Sequence, residues 1–360
     1  MSSLNTINSS SNKTTNADPS KYYDVIIVGG GPGGLSTARH LSGSDLKVLV
    51  LEKSPTVGKK ICSGEISSKV LPGVEFGGAQ DWKTVIVGTK KGKVSVAYDR
   101  PFLRTVGRFE LESFLKSETN ADIHFSEPVL SITKDFVQTT KGCYSYKFLV
   151  GADGSFSKVR EYLKLPMKHI VGWAFHFLVD SPADEFRVYW LPDIFPRGYG
   201  YLMSKSRGQT MIGGAMAGSD AIHKDLAPKV KEWAANEFDL DIKKLSSEGM
   251  KGNADYRGWN FGNTYLVGDA AGLLNPLTTE GIYYAVKSGE GVAKHIIGKK
   301  EGDQIMRKMV NDHKWQAFIF NFATDPSLPL CRIIEWILSN PSSGVRKKIF
   351  DYVFWKFMDG

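Results

Sequence analysis

Three glycines are spaced as in a phosphate-binding turn. Gly29, Gly31 and Gly34 stand at the G-x-G-x-x-G positions, directly after the apolar residues 25–28. In such a turn the first glycine allows a tight bend, the second lets the backbone approach a pyrophosphate, and the third lets the next helix pack closely on the strand. Residues 35–41 are compatible with that helix, whose free N–H groups and dipole would face the phosphates. These residues predict a nucleotide-binding strand–turn–helix unit.

An acidic residue follows at the position that such a unit requires. Residues 47–51, which are apolar except for Lys47, predict a second strand, and Glu52 ends it about twenty residues after the glycines. A carboxylate at this place binds the adenosine ribose hydroxyls of a dinucleotide. The alternative is a glycine turn in an α/β protein that binds no nucleotide. Because the residues on both sides of the turn agree with the motif, we favour the dinucleotide site.

Two further glycine–aspartate groups follow apolar, strand-like runs. Asp153 comes after residues 148–151, and Asp269 comes after residues 264–268. Either aspartate alone could be a helix N-cap, because its side chain satisfies free backbone N–H groups. Three glycine–acid groups in this order are more specific than one, and they indicate a single cofactor site built from distant segments.

Composition sets limits on the class of protein. The chain has 360 residues, 42% of them hydrophobic and 23% charged, which is enough for two or three packed units. The net charge of +8 suits a polyanion or an anionic membrane surface, and a solvated basic surface explains it equally well. Three distant cysteines, Cys62, Cys143 and Cys331, predict neither disulfides nor a metal site, and favour a reducing compartment. We expect no metal and no nucleic-acid partner.

The N-terminal residues and the lengths of the apolar runs indicate where in the cell the protein is found. Residues 1–20 are rich in Ser, Asn and Thr and lack the features of a signal peptide, so we expect a disordered leader. No uninterrupted apolar run reaches the roughly 18 residues of a spanning helix. We therefore expect a cytoplasmic protein, or one that is peripheral on the cytosolic face of a membrane.

Periodicity predicts the remaining elements in outline. Helical spacing over residues 108–115, 224–237 and 283–297 alternates with strand-like segments. The aromatic and β-branched stretches 173–179, 186–190, 199–203 and 209–216 predict an antiparallel sheet. The last sixty residues have a helical pattern and are aromatic and basic.

Together the three glycine–acid groups resemble the FAD-dependent oxidoreductases with the p-hydroxybenzoate hydroxylase fold, over roughly residues 22 to 300. The resemblance implies an α/β chain with a Rossmann-like FAD-binding domain, an inserted antiparallel-sheet substrate domain and a C-terminal helical segment. It implies that these residues contact FAD: Gly29, Gly31, Pro32, Gly33, Gly34, Glu52, Lys53, Arg108, Asp153, Gly154, Gly268, Asp269, Ala270, Ala271, Gly272, Pro276 and Gly281. For Arg108 the alternative is an exposed arginine at a helix start.

The resemblance also implies a division of the chain. We expect a discontinuous FAD-binding domain over 21–85, 105–165 and 255–300. The substrate domain would comprise 86–104 and 166–254, and the helical segment 301–360.

A narrower resemblance, to the geranylgeranyl reductase family, lies in residues 59–67 and 268–282. Those enzymes hydrogenate isoprenoid chains, and a loop carrying the equivalent of Cys62 approaches the flavin. The family's Tyr-x-Trp-x-Phe-Pro signature is altered here, since Tyr199 is kept but Tyr201 replaces the Trp and Met203-Ser204 replaces Phe-Pro. The resemblance implies catalytic roles for Cys62, Tyr199 and Tyr201, FAD as cofactor and NAD(P)H as the electron donor.

Two other functions stay open on the sequence. A flavin monooxygenase of the same fold would consume molecular oxygen with its substrate. A non-catalytic, membrane-associated flavin-fold binding or receptor-like protein would explain the altered signature and the basic charge. The aromatic and basic residues of 314–360 predict peripheral membrane contact, and the alternative is a helical cap that closes on the FAD-binding domain.

Overall fold

The computed structural model of the chain describes residues 21–67, 69–167, 171–205, 208–218, 223–324 and 328–359. The leader expected over residues 1–20 lies outside these ranges. Within them the strands form sheets of eight, seven and three strands.

The strand before the first glycine motif is at the centre of the eight-stranded sheet. β1 (Tyr22–Val28) pairs in parallel with β2 (Val48–Leu51) on one side and with β11 (Cys143–Gly151) on the other. Residues 25–28 are almost fully buried, as expected for a parallel strand covered on both faces. The other strands of this sheet are β8 (Asp122–His124), β9 (Val129–Ile132), β10 (Phe136–Thr139), β17 (Asn260–Phe261) and β18 (Thr264–Leu266).

Two helices pack against each other on this sheet. α1 (Pro32–Leu41) follows the glycine turn, and α6 (Ile282–Ile296) follows the third glycine–acid group. Ser36 Oγ donates a hydrogen bond to the Val286 carbonyl at 2.7 Å, although the two residues are 250 positions apart. A Cβ added at Gly289 would lie 2.5 Å from the carbonyl oxygen of Gly33, so the helices approach closely because this position has no side chain.

The seven-stranded sheet is mostly antiparallel. Its order is β16-β12-β15-β14-β13-β5-β6, and only β13 and β5 pair in parallel. α4 (His223–Phe238) covers one face through Trp233 and Val230. The strands are β5 (Thr84–Thr89), β6 (Gly92–Ala97), β12 (Val171–Val179), β13 (Phe186–Tyr189), β14 (Gly198–Lys205), β15 (Gln209–Gly218) and β16 (Ser246–Asn253).

A three-stranded sheet packs on the face of the seven-stranded sheet opposite to α4. It is formed by β3 (Glu65–Ser67), β7 (Leu103–Thr105) and β4 (Gln80–Trp82), in that order. An apolar cluster fills the space between the two sheets. We call this cluster the cavity wall, and its buried members are Trp82, Val85, Val87, Val96, Phe102, Leu103, Leu178, Ala183, Phe186, Tyr201, Met203, Met211 and Ala215.

The chain ends in helices, as predicted. After the short helices α2 (Arg108–Ser117), α3 (Lys158–Tyr162) and α5 (Gly268–Ala271), these are α7 (Lys300–Ala323), α8 (Pro329–Leu338) and α9 (Gly344–Asp359). Phe354 of α9 stacks on Tyr98 with ring centroids 5.0 Å apart and contacts Phe102 edge-on at 5.1 Å. The last helix therefore packs on the cavity wall and not on the eight-stranded sheet. Among the described helices, none combines the length and the apolar character needed to cross a membrane.

The predicted fold class is confirmed. The helix expected over 224–237 is observed as His223–Phe238, and that over 283–297 as Ile282–Ile296. One expected boundary, at residue 85, falls inside β5, because the strand that begins at Thr84 belongs to the seven-stranded sheet. The division into domains otherwise stays a prediction.

Candidate functional site

The glycine turn leaves room for a ligand on one side and packs tightly on the other. A Cβ at Gly29, whose φ is +105°, would lie 2.4 Å from the Ala152 carbonyl oxygen, and one at Gly34 would lie 1.9 Å from that of Gly29. A Cβ at Gly31 would meet no described atom within 4 Å. α1 begins at Pro32 without a side-chain cap among the described residues, and its first turn contains no acidic residue. This open cradle at a helix N-terminus fits the pyrophosphate of FAD.

Glu52 lies beside this cradle, at the carboxyl end of β2. Its Oε2 accepts the Gly30 N–H at 2.7 Å, and its Oε1 accepts the Ser54 N–H at 2.8 Å. These bonds hold the carboxylate at the place where a dinucleotide ribose is bound in this type of fold. The neighbouring Lys53 side chain is exposed.

The Asp153 side chain accepts backbone N–H groups at the start of a helix whose N-cap residue is Ser157. Its Oδ2 accepts the N–H groups of Lys158 at 2.6 Å and Val159 at 3.3 Å, at the start of α3. Its Oδ1 is buried and has no hydrogen-bond partner among the described residues. Burial raises the pKa of this carboxyl group, while the hydrogen bonds of the helix start oppose that increase. Gly154 follows with φ +75°, which allows the chain to turn away from β11.

Asp269 does not cap a helix with its side chain; it connects segments. Its Oδ2 accepts hydrogen bonds from Ser155 Oγ at 2.9 Å and Lys60 Nζ at 3.0 Å. A Cβ at Gly281, the residue before α6, would lie 3.4 Å from its Oδ1. The structure thus brings the second and third glycine–acid groups together with the loop that carries Cys62.

Small residues make this meeting of segments possible. Ala270 and Ala271 are fully buried, and Gly268 and Gly272 have φ of +54° and +80°. A Cβ at Gly272 would lie 2.3 Å from the Asp255 carbonyl oxygen. The chain can therefore pass closely beside its neighbours at the start of the third group.

Arg108 is buried, which excludes the exposed helix-start arginine for this residue. Its guanidinium pairs with Glu112 one turn later, and the two side chains are 9% and 4% exposed. Glu112 also accepts the N–H of Gly58 in the loop before Cys62. Burial alone would lower the pKa of Arg108, but the neighbouring Cys62 thiol and Glu112 carboxylate raise it. Arg108 therefore lies against the Cys62 loop and helps to hold it.

Tyr199 connects the seven-stranded sheet to the segment before α6. Its hydroxyl donates to the Thr278 carbonyl at 2.9 Å and lies 2.6 Å from Thr279 Oγ1. Burial raises the pKa of Tyr199 to about 12. Pro276 lines a cavity of about 30 Å³ with Tyr199 and Thr279, so this predicted cofactor residue lies beside the seven-stranded sheet.

Tyr201 points from the same strand into the cavity wall. It is 4% exposed, and its hydroxyl lies 3.1 Å from His176 Nδ1. Its pKa is raised well above the usual value, first by burial and then by the nearby Tyr199, Glu65 and Cys62. Cys62, Tyr199 and Tyr201, the three residues with expected catalytic roles, therefore lie close together.

Two residues near these side chains were missed by sequence reasoning. Glu65 begins β3, and both its carboxylate oxygens are buried without a hydrogen-bond partner among the described residues. His176 of β12 is completely buried. The signal for Glu65 was available, since it is the one charged residue between Cys62 and Ser67. His176 looked like one more residue of an aromatic strand.

Comparison with known proteins agrees with this architecture. Residues 27–80 match the family model of an NAD(P)-binding Rossmann-like domain. The chain is 25% identical to a digeranylgeranylglycerophospholipid reductase of Thermoplasma acidophilum, over 74% of this chain and 76% of that protein. This relative confirms the resemblance that the motifs at 59–67 and 268–282 predicted.

Solved structures share the fold. A geranylgeranyl bacteriochlorophyll reductase-like protein of Thermoplasma acidophilum has a TM-score of 0.67 at 20% identity, covering 92% of this chain and 91% of its own. The p-nitrophenol 4-monooxygenase of Pseudomonas putida has a TM-score of 0.69 at 17% identity, covering 94% and 99%. The fold is thus that of flavin-dependent oxidoreductases of more than one kind.

Proposed function

We propose that this chain, which resembles the geranylgeranyl reductases along most of its length, is an FAD-dependent reductase of isoprenoid double bonds. One observation carries the proposal. The Arg108–Glu112 pair holds the loop of Cys62, and Cys62 lies near Tyr201, a member of the apolar cavity wall between two sheets. A long hydrocarbon chain fits such surroundings, and a soluble aromatic substrate requires more polar groups to orient it.

The residues of the chain have separate tasks in this reaction. Bound FAD supplies hydride chemistry. The cradle at Gly31 holds the pyrophosphate, Glu52 holds the ribose, and Asp269 holds the polar chain that connects the nucleotide to the ring system. The cavity wall excludes water and holds the double bond in place, which matters because an isolated alkene is unreactive. Tyr199 fixes the wall to the segment before α6.

The electron donor in this proposal is a reduced nicotinamide nucleotide. The sequence has one G-x-G-x-x-G turn, and we assign that turn to FAD. The nicotinamide nucleotide would therefore bind transiently, without a domain of its own. Oxidation of NADH or NADPH in the presence of the protein, followed by absorbance, tests this assignment.

We also propose that the C-terminal helices contact a membrane surface. On α7, Trp315, Phe318 and Phe322 are 47%, 54% and 41% exposed and follow one another on a single face. Their rings are in mutual contact, with centroids 5.9 and 4.6 Å apart. Trp336 of α8 and Tyr352 of α9 add further exposed rings. Exposed aromatic groups on helices, with lysines beside them, are typical of proteins that lie at the membrane interface.

Mass spectrometry decides the reaction. The purified protein is incubated without oxygen with FAD, a reductant and a geranylgeranyl lipid in detergent, and we expect products heavier by two hydrogen atoms for each reduced double bond. The Gly31→Val variant serves as the cofactor-free control. A product that contains one oxygen atom, formed only in air, would instead establish the monooxygenase. Bound FAD with retained but unaltered lipid would establish the non-catalytic protein.

A further inference from the structure

Three polar side chains and one glycine form a row across the seven-stranded sheet. Glu248 of β16 pairs with His176 of β12, His176 pairs with Gly213 of β15, and Gly213 pairs with Tyr201 of β14. Paired residues of neighbouring antiparallel strands have their side chains on the same face. The row therefore runs along the face that carries the cavity wall, from the edge of the sheet to its centre.

Gly213 leaves room for the His176 side chain to reach Tyr201. A Cβ at Gly213 would lie 2.4 Å from the Cβ of His176, so no other residue leaves space for the imidazole to lean across β15. Its Nδ1 then lies 3.1 Å from Tyr201 Oη, and its Nε2 lies 3.2 Å from Glu248 Oε2. Lys205 Nζ binds the same carboxylate oxygen.

The charges of the row determine which atoms carry protons. Burial lowers the pKa of His176, so the imidazole is neutral near pH 7. Burial would raise the pKa of Glu248, but Lys205 and His176 lower it, so this carboxyl group is ionised. An ionised carboxylate only accepts hydrogen bonds. Nε2 therefore carries the imidazole proton and donates it to Glu248, and Nδ1 accepts the hydroxyl of Tyr201.

The row joins solvent to the buried space. Glu248 and Lys205 are 26% and 17% exposed, whereas the side chain of His176 is completely buried. At the inner end, Glu65 has no hydrogen-bond partner among the described residues, and its charge acts on both Tyr199 and Tyr201.

Glu65 faces inward because of its strand position. It pairs with Thr105, whose hydroxyl accepts the indole N–H of Trp82, a member of the cavity wall. Ser67, on the same face, donates to Glu280, which follows the Thr279 that Tyr199 contacts. The intervening Ile66 points the other way, into a separate core cluster.

We propose that Glu248, His176 and Tyr201 form a proton path from solvent to the cavity, and that Glu65 at its inner end is the acid that completes the reduction. This proposal rests on the proposed reductase function. In the step, a hydride that reduced FAD would supply bonds to one alkene carbon, which would leave FAD oxidised. The O–H bond of Glu65 breaks, and its proton bonds to the neighbouring carbon. The alkene becomes an alkane unit, and Glu65 is left as a carboxylate.

The path restores that proton from water. One proton enters at Glu248 and passes to Nε2 of His176, while Nδ1 releases another to Tyr201. The tyrosine hydroxyl passes its own proton to Glu65 through an intervening water molecule, because that carboxyl group has no hydrogen-bond partner among the described residues. After the transfer, Nε2 donates a hydrogen bond to Glu248, and the Tyr201 hydroxyl donates one to Nδ1. This is the arrangement that we assigned above from the charges of Glu248 and His176. Rotation of the hydroxyl and a switch of the imidazole proton prepare the next passage.

The surroundings suit Glu65 to this task. Burial of the carboxyl group raises its pKa to about 7. Among the titratable groups of this region, Glu65 acts electrostatically on Tyr199 and Tyr201, and Cys62 acts on Tyr201 and Arg108. An acid with this pKa is present in both forms near neutral pH, as a proton donor that must be reloaded requires.

Infrared spectroscopy of the purified holoprotein tests the proposal without substrate. A protonated carboxyl group has a C=O band distinct from that of carboxylates, and we expect one that disappears in Glu65→Gln and titrates near pH 7. After transfer to D₂O this band should shift, and in Tyr201→Phe the shift should be slower by at least about tenfold. Tyr189→Phe, which removes a buried hydroxyl from β13 outside the row, is the matched control and should exchange like the parent.

The outcomes are distinct. Absence of a band specific to Glu65 below pH 7 would overturn its role as the acid, and equal exchange in Tyr201→Phe and parent would overturn the path. If the parent reduces isoprenoids, Glu65→Gln should slow turnover by roughly a hundredfold while leaving FAD reduction unchanged. If the parent reduces none, the proposed function fails, and the infrared result still decides where the proton is held.

Discussion

The hydroxyl groups of Tyr199 and Thr279 lie 2.6 Å apart and join the seven-stranded sheet to the segment before α6. Thr279 has a φ of +55°, a left-handed conformation that is unfavourable for a β-branched residue. The contact with Tyr199 holds it in place. The position of the α6 N-terminus, which faces the cofactor site, thus depends on a side chain from the other layer.

Tyr199→Phe should loosen this connection. It removes one hydrogen bond and leaves the partly buried Thr279 hydroxyl with one partner fewer, so the free energy of unfolding should fall by about 1–2 kcal/mol. Urea unfolding of the holoprotein measures the change. Tyr189→Phe, from the opposite face of the same sheet, should cost less because the hydroxyl of Tyr189 lies 3.4 Å from its Arg187 neighbour. Equal losses in both variants would contradict the assigned contact.

Gly31→Val should empty the cofactor site without unfolding the chain. The added side chain would occupy the space that the backbone cradle leaves for a pyrophosphate, and no described atom lies within 4 Å of its Cβ. We expect the purified variant to lack the yellow absorbance of FAD and to keep the parent circular dichroism. Gly77→Val, also at an open position but outside the turn, should retain FAD. Tight FAD binding by Gly31→Val, or FMN released from the parent by heat, would refute the assignment.

The fold was predictable where the hydrophobic periodicity and the turn residues indicate the same element. The apolar run before Gly29 indicates strand β1, and the helical spacing over 282–296 indicates helix α6. β16 was missed because its sequence, Ser246–Asn253, is polar and contains two glycines, and it becomes a strand only by pairing with β12. The short strands β3, β4 and β7 were missed for a related reason, since three residues show no period.

Cys62→Ser tests the proposed part of the thiol in turnover. Serine has nearly the same volume, so the loop and the bound FAD should be retained. Because Cys62 lies beside Arg108 and Tyr201, loss of the thiol should slow isoprenoid reduction on the order of tenfold to a hundredfold. Cys143→Ser, in a strand away from the site, should keep the parent rate. The same rate in Cys62→Ser and parent would remove this thiol from the mechanism.

His313 should make stability depend on pH. Its imidazole is buried in α7, and burial lowers its pKa to about 4. Between pH 6.5 and 4 the unfolded chain therefore binds a proton that the folded chain does not, and stability falls as the pH falls. From pH 7 to 5 the parent should lose about 2 kcal/mol more than His313→Gln. Unfolding by urea at both pH values measures this difference.

Comparison with the variant is necessary in that experiment because Glu65 acts in the opposite sense. Its folded-state pKa is raised, so its contribution to stability is largest at low pH and is lost as the pH rises towards 7 and above. Parallel pH dependence in the parent and in His313→Gln would show that His313 is not held neutral.

The exposed rings of α7 should carry membrane binding. In flotation with anionic liposomes at low salt, the parent should float, and the combined variant Trp315→Ser, Phe318→Ser and Phe322→Ser should float several-fold less. Leu130→Ser, which removes an equally exposed apolar side chain on β9, should behave like the parent. Salt should weaken the binding, because each lysine near an anionic surface contributes about 1 kcal/mol. Failure of the parent to float at low salt would exclude this surface.

The site was predictable only as far as motifs reach. The glycines, Glu52 and Asp269 stand in recognisable patterns, and the structure brings these segments together. The row from Glu248 to Tyr201 has no pattern along the chain, because its four members come from four strands and meet only through strand register. Asp153 shows a further limit, since a helix-capping aspartate and a cofactor-binding aspartate occupy the same place in a strand–turn–helix sequence.

The wide separation of the segments around β1 has a consequence for synthesis of the protein. β1 pairs with β11, β11 pairs with β18, and α1 packs on α6, so the ribosome must make residues up to 296 before the cofactor cradle can close. Contacts between such distant segments also slow folding. A nascent chain that stops short of α6 should therefore remain colourless, and FAD should be captured only after that helix has emerged.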